Sequence, residues 1–216
     1  MQKAYSFFFG KNSAFYPAHG GDDPGMIGVE GLKEKGINLE ISQKLKKALE
    51  KRGFTVVMTR EKDEGLNDSS ASNKKAQDMQ RRIAFLEEQD PVLTVSIHQN
   101  SYTDPEISGP QVFYYETSSE GKKLAESVQE SMNRHLKPDR PRAVKGNTSY
   151  YLLKRSKGII VIAECGFLTN PQEAELLRKE TYQQKIAEAV AEGIEKYVKT
   201  DILKKITGRN RESVIL

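Results

Sequence analysis

The sequence predicts a three-layer α/β domain, a mostly parallel sheet with helices on both faces. Two observations carry that prediction. Short β-branched apolar runs alternate with amphipathic stretches of helical period along most of the chain, the pattern of helices packed on a parallel sheet. At 216 residues, with no internal repeat, low-complexity segment or interdomain linker, the chain suits one sizeable domain.

The elements follow in order. "SAFYPA" (13–18) is a weak first strand. Residues 32–52 read as a helix, because Leu32, Ile37, Ile41, Leu45 and Leu49 form a stripe at nearly four-residue spacing that Gly53 ends. "FTVVMTR" (54–60) is a buried strand, and "KDEGLNDSSASN" a polar loop. A helix over 73–89 turns Ala76, Met79, Ile83 and Leu86 inward. "PVLTVSI" (91–97) and "PQVFYYE" (110–116) are strands with no helix between them, so part of the sheet is expected to be antiparallel. A helix over 119–136 carries Leu124, Val128 and Met132 on one face. "SYYLLK" (149–154) and "IIVIA" (159–163) complete the predicted strands. "NPQE" (170–173) starts a helix, with Asn170 as cap, Pro171 at the first position and Glu173 reaching back. The last long helix, 181–198, buries Ile186, Val190, Ile194 and Val198.

Composition excludes several classes. No stretch approaches the ~20 apolar residues of a membrane span. The net charge is +4, but the two signs are interspersed except in "KKITGRNR" near the end, which reads as a solvated tail rather than a nucleic-acid surface. Cys165 is the single cysteine, so neither an internal disulfide nor a cysteine zinc cluster can form. It reads as a small hydrophobe packed inward. The N-terminal "MQKAYSFFFGKNSAF" lacks the apolar core and cleavage site of a signal peptide.

In an open α/β sheet, sites gather beyond the C-terminal strand ends. His19 follows the first strand, His98 the third, and Glu164 the strand "IIVIA", while Glu34 opens the helix after the first loop. Each has a plain structural explanation alone: a turn histidine, a satisfied core histidine, a glutamate favoured by the helix dipole. Four at one sheet edge are harder to explain that way. Two imidazoles and a carboxylate make a common catalytic zinc set with an open position. A further carboxylate would then move the proton, with Glu34 and Glu164 dividing the two roles. His135, near a helix C-terminus, reads as a surface residue. Arg60 and Arg82 suit structural pairing as well as substrate contact.

The ordered segments "HGGDDPG", "GLKEKGINLEIS", "GFTVVMTRE", "VSIHQNS", "VFYYE" and "IAECGFLTNPQEAELL" resemble the zinc-dependent N-acetylmuramoyl-L-alanine amidases of bacterial cell walls, from about His19 to Tyr197. The resemblance implies a twisted six-stranded sheet and one zinc ion on His19, Glu34 and His98. It implies Glu164 as the catalytic glutamate, hydrolysing the amide between N-acetylmuramic acid and L-alanine in peptidoglycan. Asn100 would hydrogen-bond substrate. "TREKDEGLND" and "YYLLKRSKGIIVIAECGFLTN" are most similar to the germination-specific, spore-cortex branch of the CwlD type. That branch acts outside the cytoplasmic membrane in muramic-δ-lactam formation, some members with an activating partner protein. The expected division is an atypical segment 1–17, a catalytic domain 18–198 and a tail 199–216.

The chain departs from the family at its first motif, which normally reads Asp-Pro-Gly-His-Gly-Gly and here reads "YPAHGG". Tyr16 replaces the acid and Ala18 the glycine. Loss of a supporting hydrogen bond to a metal ligand costs about 10–100-fold in affinity or activity, and Ala18 is costly if its φ must be positive. The departure predicts reduced activity or a displaced natural start. Two other readings use the same residues: an inactive or partner-dependent wall-binding homologue, and another zinc peptidase on this scaffold.

Overall fold

The computed structural model describes residues 12–202. The basic stretch "KKITGRNR" and most of the N-terminal segment lie outside them. The elements run β1 (Asn12–Pro17), α1 (Glu34–Glu50), β2 (Thr55–Met58), α2 (Lys74–Gln89), β3 (Leu93–Asn100) and β4 (Gln111–Tyr115). They continue with α3 (Ser119–Leu136), β5 (Lys145–Asn147), α4 (Tyr151–Arg155), β6 (Ile160–Phe167), α5 (Pro171–Leu177) and α6 (Glu180–Tyr197). The six strands form one mixed sheet in the order β2-β1-β3-β6-β4-β5. Every neighbouring pair is parallel except β4 with β6, which is antiparallel. This is the predicted fold class.

Strand alternation sorts the side chains into two cores. On one face Phe15, Val95, Ile97, Val161 and Ala163 pack against the stripe Ile37, Ile41, Leu45 and Leu49 of α1 and against α3 and α6. Cys165 is buried in this core, as expected. The other face is thinner: Ala14, Tyr16, Phe113, Ile160 and Ile162 meet Leu86 of α2 and Leu152 and Leu153 of α4. Helix starts are set by side-chain caps. Asn73, Ser118 and Asn170 accept from the N–H groups of Ala76, Gly121 and Glu173.

Two local expectations are corrected. The predicted strand 149–154 is not a strand. Residues 151–155 form α4, and the fifth strand is the polar edge segment Lys145–Asn147. The reason lies in the burial pattern: Leu152 and Leu153 are both buried while Tyr151 and Lys154 are exposed, which a helix satisfies and an alternating strand does not. Asn147 starts the turn, its Oδ1 accepting from the N–H of Ser149 and Tyr150. The second correction concerns Glu173. Its carboxylate accepts from the N–H groups of Phe167 and Gly109, tying α5 to the end of β6 and the β3–β4 loop instead of closing a box on Asn170.

Helices α3 and α6 approach each other closely at Gly193 of α6. A Cβ there would lie 2.6 Å from Val128 Cα of α3. Gly193→Ala should therefore wedge α3 from α6. The steric cost exceeds the gain in helix propensity, for a net loss of about 1–2 kcal/mol. A lower urea midpoint followed by circular dichroism would show it; an unchanged midpoint would mean that the helix pair accommodates the methyl.

Candidate metal centre

His19 leaves β1 on a turn in which it adopts a left-handed backbone (φ 62°). That conformation is uncommon for a side-chain-bearing residue and is held from several sides. Arg82 donates to the carbonyls of Pro17 and His19. Arg60 donates to those of Pro17 and Ala18, and Asn38 also donates to Ala18 O. Both arginines are buried, and Arg82 pairs with Asp78 at 2.6 Å. Their contacts among the described residues are structural, which resolves the choice left open by the sequence. Ala18 is not among the positive-φ residues, so replacing the family's glycine there carries no backbone strain.

The three predicted ligands come together. His19, Glu34 and His98 each offer an atom within 4.8 Å of the others. His19 Nε2 lies 3.2 Å from Glu34 Oε2 and His98 Nδ1 3.0 Å from Glu34 Oε1. The two imidazoles meet edge to face, with centroids 5.3 Å apart. Glu34, in the first turn of α1, is only 2% exposed. Its Oε2 accepts the N–H of Met26, and its Oε1 accepts the N–H of Gln99 and Asn38 Nδ2. Burial disfavours its ionisation, but the hydrogen bonds of His19 and His98 outweigh that and hold its pKa well below the carboxylate range. Burial likewise opposes charge on His19, but Asp23 and Glu34 raise it to about 9.

Glu164 stands beside this set. It lies within β6, paired in register with His98 of β3, so the two side chains share the thinner face. The buried Oε2 of Glu164 has no hydrogen-bond partner. Burial pushes its pKa up to about 7, with His98 opposing and Glu34 adding to the rise. An orphaned carboxylate oxygen next to two imidazoles and a buried carboxylate fits a bound cation and the water it would hold. Asn100 lines the same cleft of about 430 Å³, its Oδ1 accepting Ser101 N–H. His135 is elsewhere, on α3, paired with Glu192 of α6.

Two contributors escaped the sequence reading. Asp23 Oδ2 accepts from His19 Nδ1 at 2.8 Å, which leaves Nε2 facing Glu34, the arrangement that orients a metal-binding imidazole. The available signal was an acid four residues after the histidine. Gly25 (φ +69°) is the other: a Cβ there would lie 2.5 Å from Glu34 Oε2 and 2.7 Å from His19 Cδ2.

Fold and cleft place the chain among the α/β amidases of the bacterial cell wall. A profile of the N-acetylmuramoyl-L-alanine amidase family (Amidase_3) matches residues 15–196, and the chain belongs to that family. It is 35% identical to the germination-specific N-acetylmuramoyl-L-alanine amidase of Bacillus subtilis (strain 168) over 184 residues, 84% of this chain and 77% of that protein. Among solved structures, the CwlD amidase of Clostridioides difficile, in complex with the GerS lipoprotein, superposes with a TM-score of 0.83 at 35% identity. It covers 88% of this chain and 100% of that one. The amidase AmiC2 of Nostoc punctiforme gives 0.77 at 30% identity, covering 88% and 97%.

Gly25→Ala should displace Glu34 or His19 without touching the core. We expect divalent-metal affinity to fall by about 10–100-fold, measured by competition against a chromogenic chelator. Wild-type affinity in this variant would show that the loop is free to shift.

Proposed function

We propose that this amidase is zinc-dependent, with one ion held by His19, Glu34 and His98 and with Glu164 as the group that moves protons. The observation that carries the reading is the convergence of those three donors next to the unpartnered Oε2 of Glu164. A zinc ion bound there would supply Lewis acidity, which acidifies water and polarises a carbonyl oxygen.

The chain's own residues do the rest. Asp23 keeps His19 in the tautomer that turns Nε2 inward. Glu34 neutralises charge at the centre while anchored by backbone N–H groups. Glu164 Oε2 takes the proton of the attacking water and delivers it to the alanine nitrogen as the amide to the lactyl carbonyl breaks. A carboxyl raised towards neutrality by burial suits both halves of that transfer, and a bound cation would draw it back towards the ionised form. Asn100 offers its Nδ2, which has no partner among the described residues, to substrate.

The substrate is peptidoglycan, and the setting is outside the cytoplasmic membrane, in the wall or spore cortex. The likeness to the Bacillus germination-specific amidase and to CwlD supports a role in preparing cortex muramic acid for δ-lactam formation. The catalytic domain is residues 18–198 together with strand β1 before them, which pairs with both β2 and β3. A partner protein that activates the enzyme is part of the proposal, supported by the CwlD neighbour having been solved with a lipoprotein. No helix among the described residues is long and apolar enough to cross a membrane.

The test is a digest of purified peptidoglycan followed by mass analysis. Zinc-loaded protein should release free stem peptides and leave the glycan intact. Chelation should abolish release and zinc should restore it. Glu164→Gln should lower kcat by about 10²–10⁴-fold with zinc stoichiometry unchanged. Cleavage within the peptide would indicate a peptidase, and activity that survives Glu164→Gln would remove Glu164 from the mechanism.

A further inference from the structure

Next to Glu164 the cleft has a wall that the chemistry above does not use. Tyr150 precedes α4 and lines the cleft together with His19, His98 and Glu164. Its position is fixed from two directions. Asn147 Oδ1 accepts its backbone N–H at 2.7 Å, and its ring packs on Phe113 of β4 with centroids 5.4 Å apart. A third of the side chain stays open, at 36% exposure. Its hydroxyl has no hydrogen-bond partner among the described residues. Phenylalanine would make the same packing contact, so the fold itself has no use for the oxygen.

The hydroxyl also remains a donor. Burial raises its pKa, and the nearby charge of Glu164 raises it further. A protonated phenol close to Glu164 is close to whatever Glu164 acts on. Within the amide, Glu164 serves the nitrogen, and the carbonyl oxygen, one lone pair of which a bound zinc would polarise, keeps a second lone pair that can accept a hydrogen bond.

We propose that the Tyr150 hydroxyl contacts substrate, donating a hydrogen bond to the carbonyl oxygen of the amide being cleaved. The inference rests on the amidase reading. Negative charge grows on that oxygen as water attacks, so the bond strengthens towards the transition state. Tyr150 is then a catalytic residue whose loss lowers kcat more than it raises KM.

The experiment uses zinc-loaded full-length protein and a soluble N-acetylmuramoyl-L-alanyl peptide. Tyr150→Phe removes only the oxygen. We expect kcat to fall about 10–100-fold, the range of a lost transition-state donor or somewhat below it, with KM within about twofold and melting temperature and zinc content unchanged. Calorimetry in the Glu164→Gln background, with and without Tyr150→Phe, reads the ground-state contact without turnover and should show a small loss of affinity, about twofold, when the oxygen is missing. If wild type cleaves and Tyr150→Phe matches it in kcat and affinity, the contact is wrong and the amidase stands. If wild type binds the peptide but does not cleave it, and Tyr150→Phe weakens binding, the amidase reading fails while the contact survives. Neither cleavage nor binding by wild type would overturn both.

Discussion

Everything in the cleft depends on one buried carboxylate. Glu34 is almost fully removed from water, and an isolated buried carboxylate costs several kcal/mol. Here it gathers partners from each segment that carries a candidate metal donor. Met26 donates from the loop before α1, Asn38 from the next turn of α1, and Gln99 from the end of β3, while His19 and His98 approach from β1 and β3. None of these partners is sequence-local except Asn38. Satisfying the charge therefore fixes the loop, the helix start and two strand ends relative to one another before any ligand arrives. The position of Glu34 in the first turn of α1 adds the favourable end of the helix dipole.

The altered first motif is best understood from the same geometry. Tyr16 stands where the family has an acid. It is buried against Leu86 and Ile162, with the Arg82 guanidinium 5.0 Å above its ring. Its hydroxyl reaches Met79 Sδ at 3.4 Å. Arg82 keeps a carboxylate in Asp78, whereas the hydrogen bonds of Arg60 go to main-chain carbonyls. Burial, with Arg82 close by, lowers the pKa of Arg60 to about 10. The two cations are thus accommodated by carbonyl dipoles and an aromatic face, and they fasten the turn that presents His19. Tyr16 packs into the thinner core while His19 stays with Glu34 and His98, which favours an active enzyme over an inert homologue.

Much of this was legible in the sequence, for physical reasons. The stripes of α1, α3 and α6 declare themselves because a helix buries one face repeatedly; on α2 only Leu86 of the expected stripe is buried, and Ala76 is exposed. His19, His98 and Glu164 stood out because polar residues at the ends of apolar strands need a reason to be there, and Glu34 joined them from the start of the helix after the first loop. What stayed hidden depends on loop conformation. Asp23 and Gly25 matter through a turn that folds back on His19, and no periodicity encodes it. Arg60 and Arg82 have mainly carbonyl partners, which a sequence does not display. The segment Lys145–Asn147 has no apolar residue to mark it as a strand, and the true signal in "SYYLLK" was adjacent buried leucines rather than alternation.

Register links the candidate metal-binding histidine of β3 to Glu164. Parallel pairing of β3 with β6 sets His98 opposite Glu164 and Ile97 opposite Ala163. On β6 the odd positions Val161, Ala163 and Cys165 belong to the thick core, while Ile160 and Ile162 face the thinner side. A slip of one residue would drive Glu164 into the core beneath α1 and α6 and leave Ala163 or Cys165 beside the imidazoles. The cost of burying that carboxylate among leucines and isoleucines specifies the register as firmly as the hydrogen bonds do. The residue that makes the chemistry conceivable therefore also guards the sheet against the pairing that would abolish it. Cys165 fits the same logic: next to a residue that must face the cleft, the chain needs one small and apolar enough to face the core.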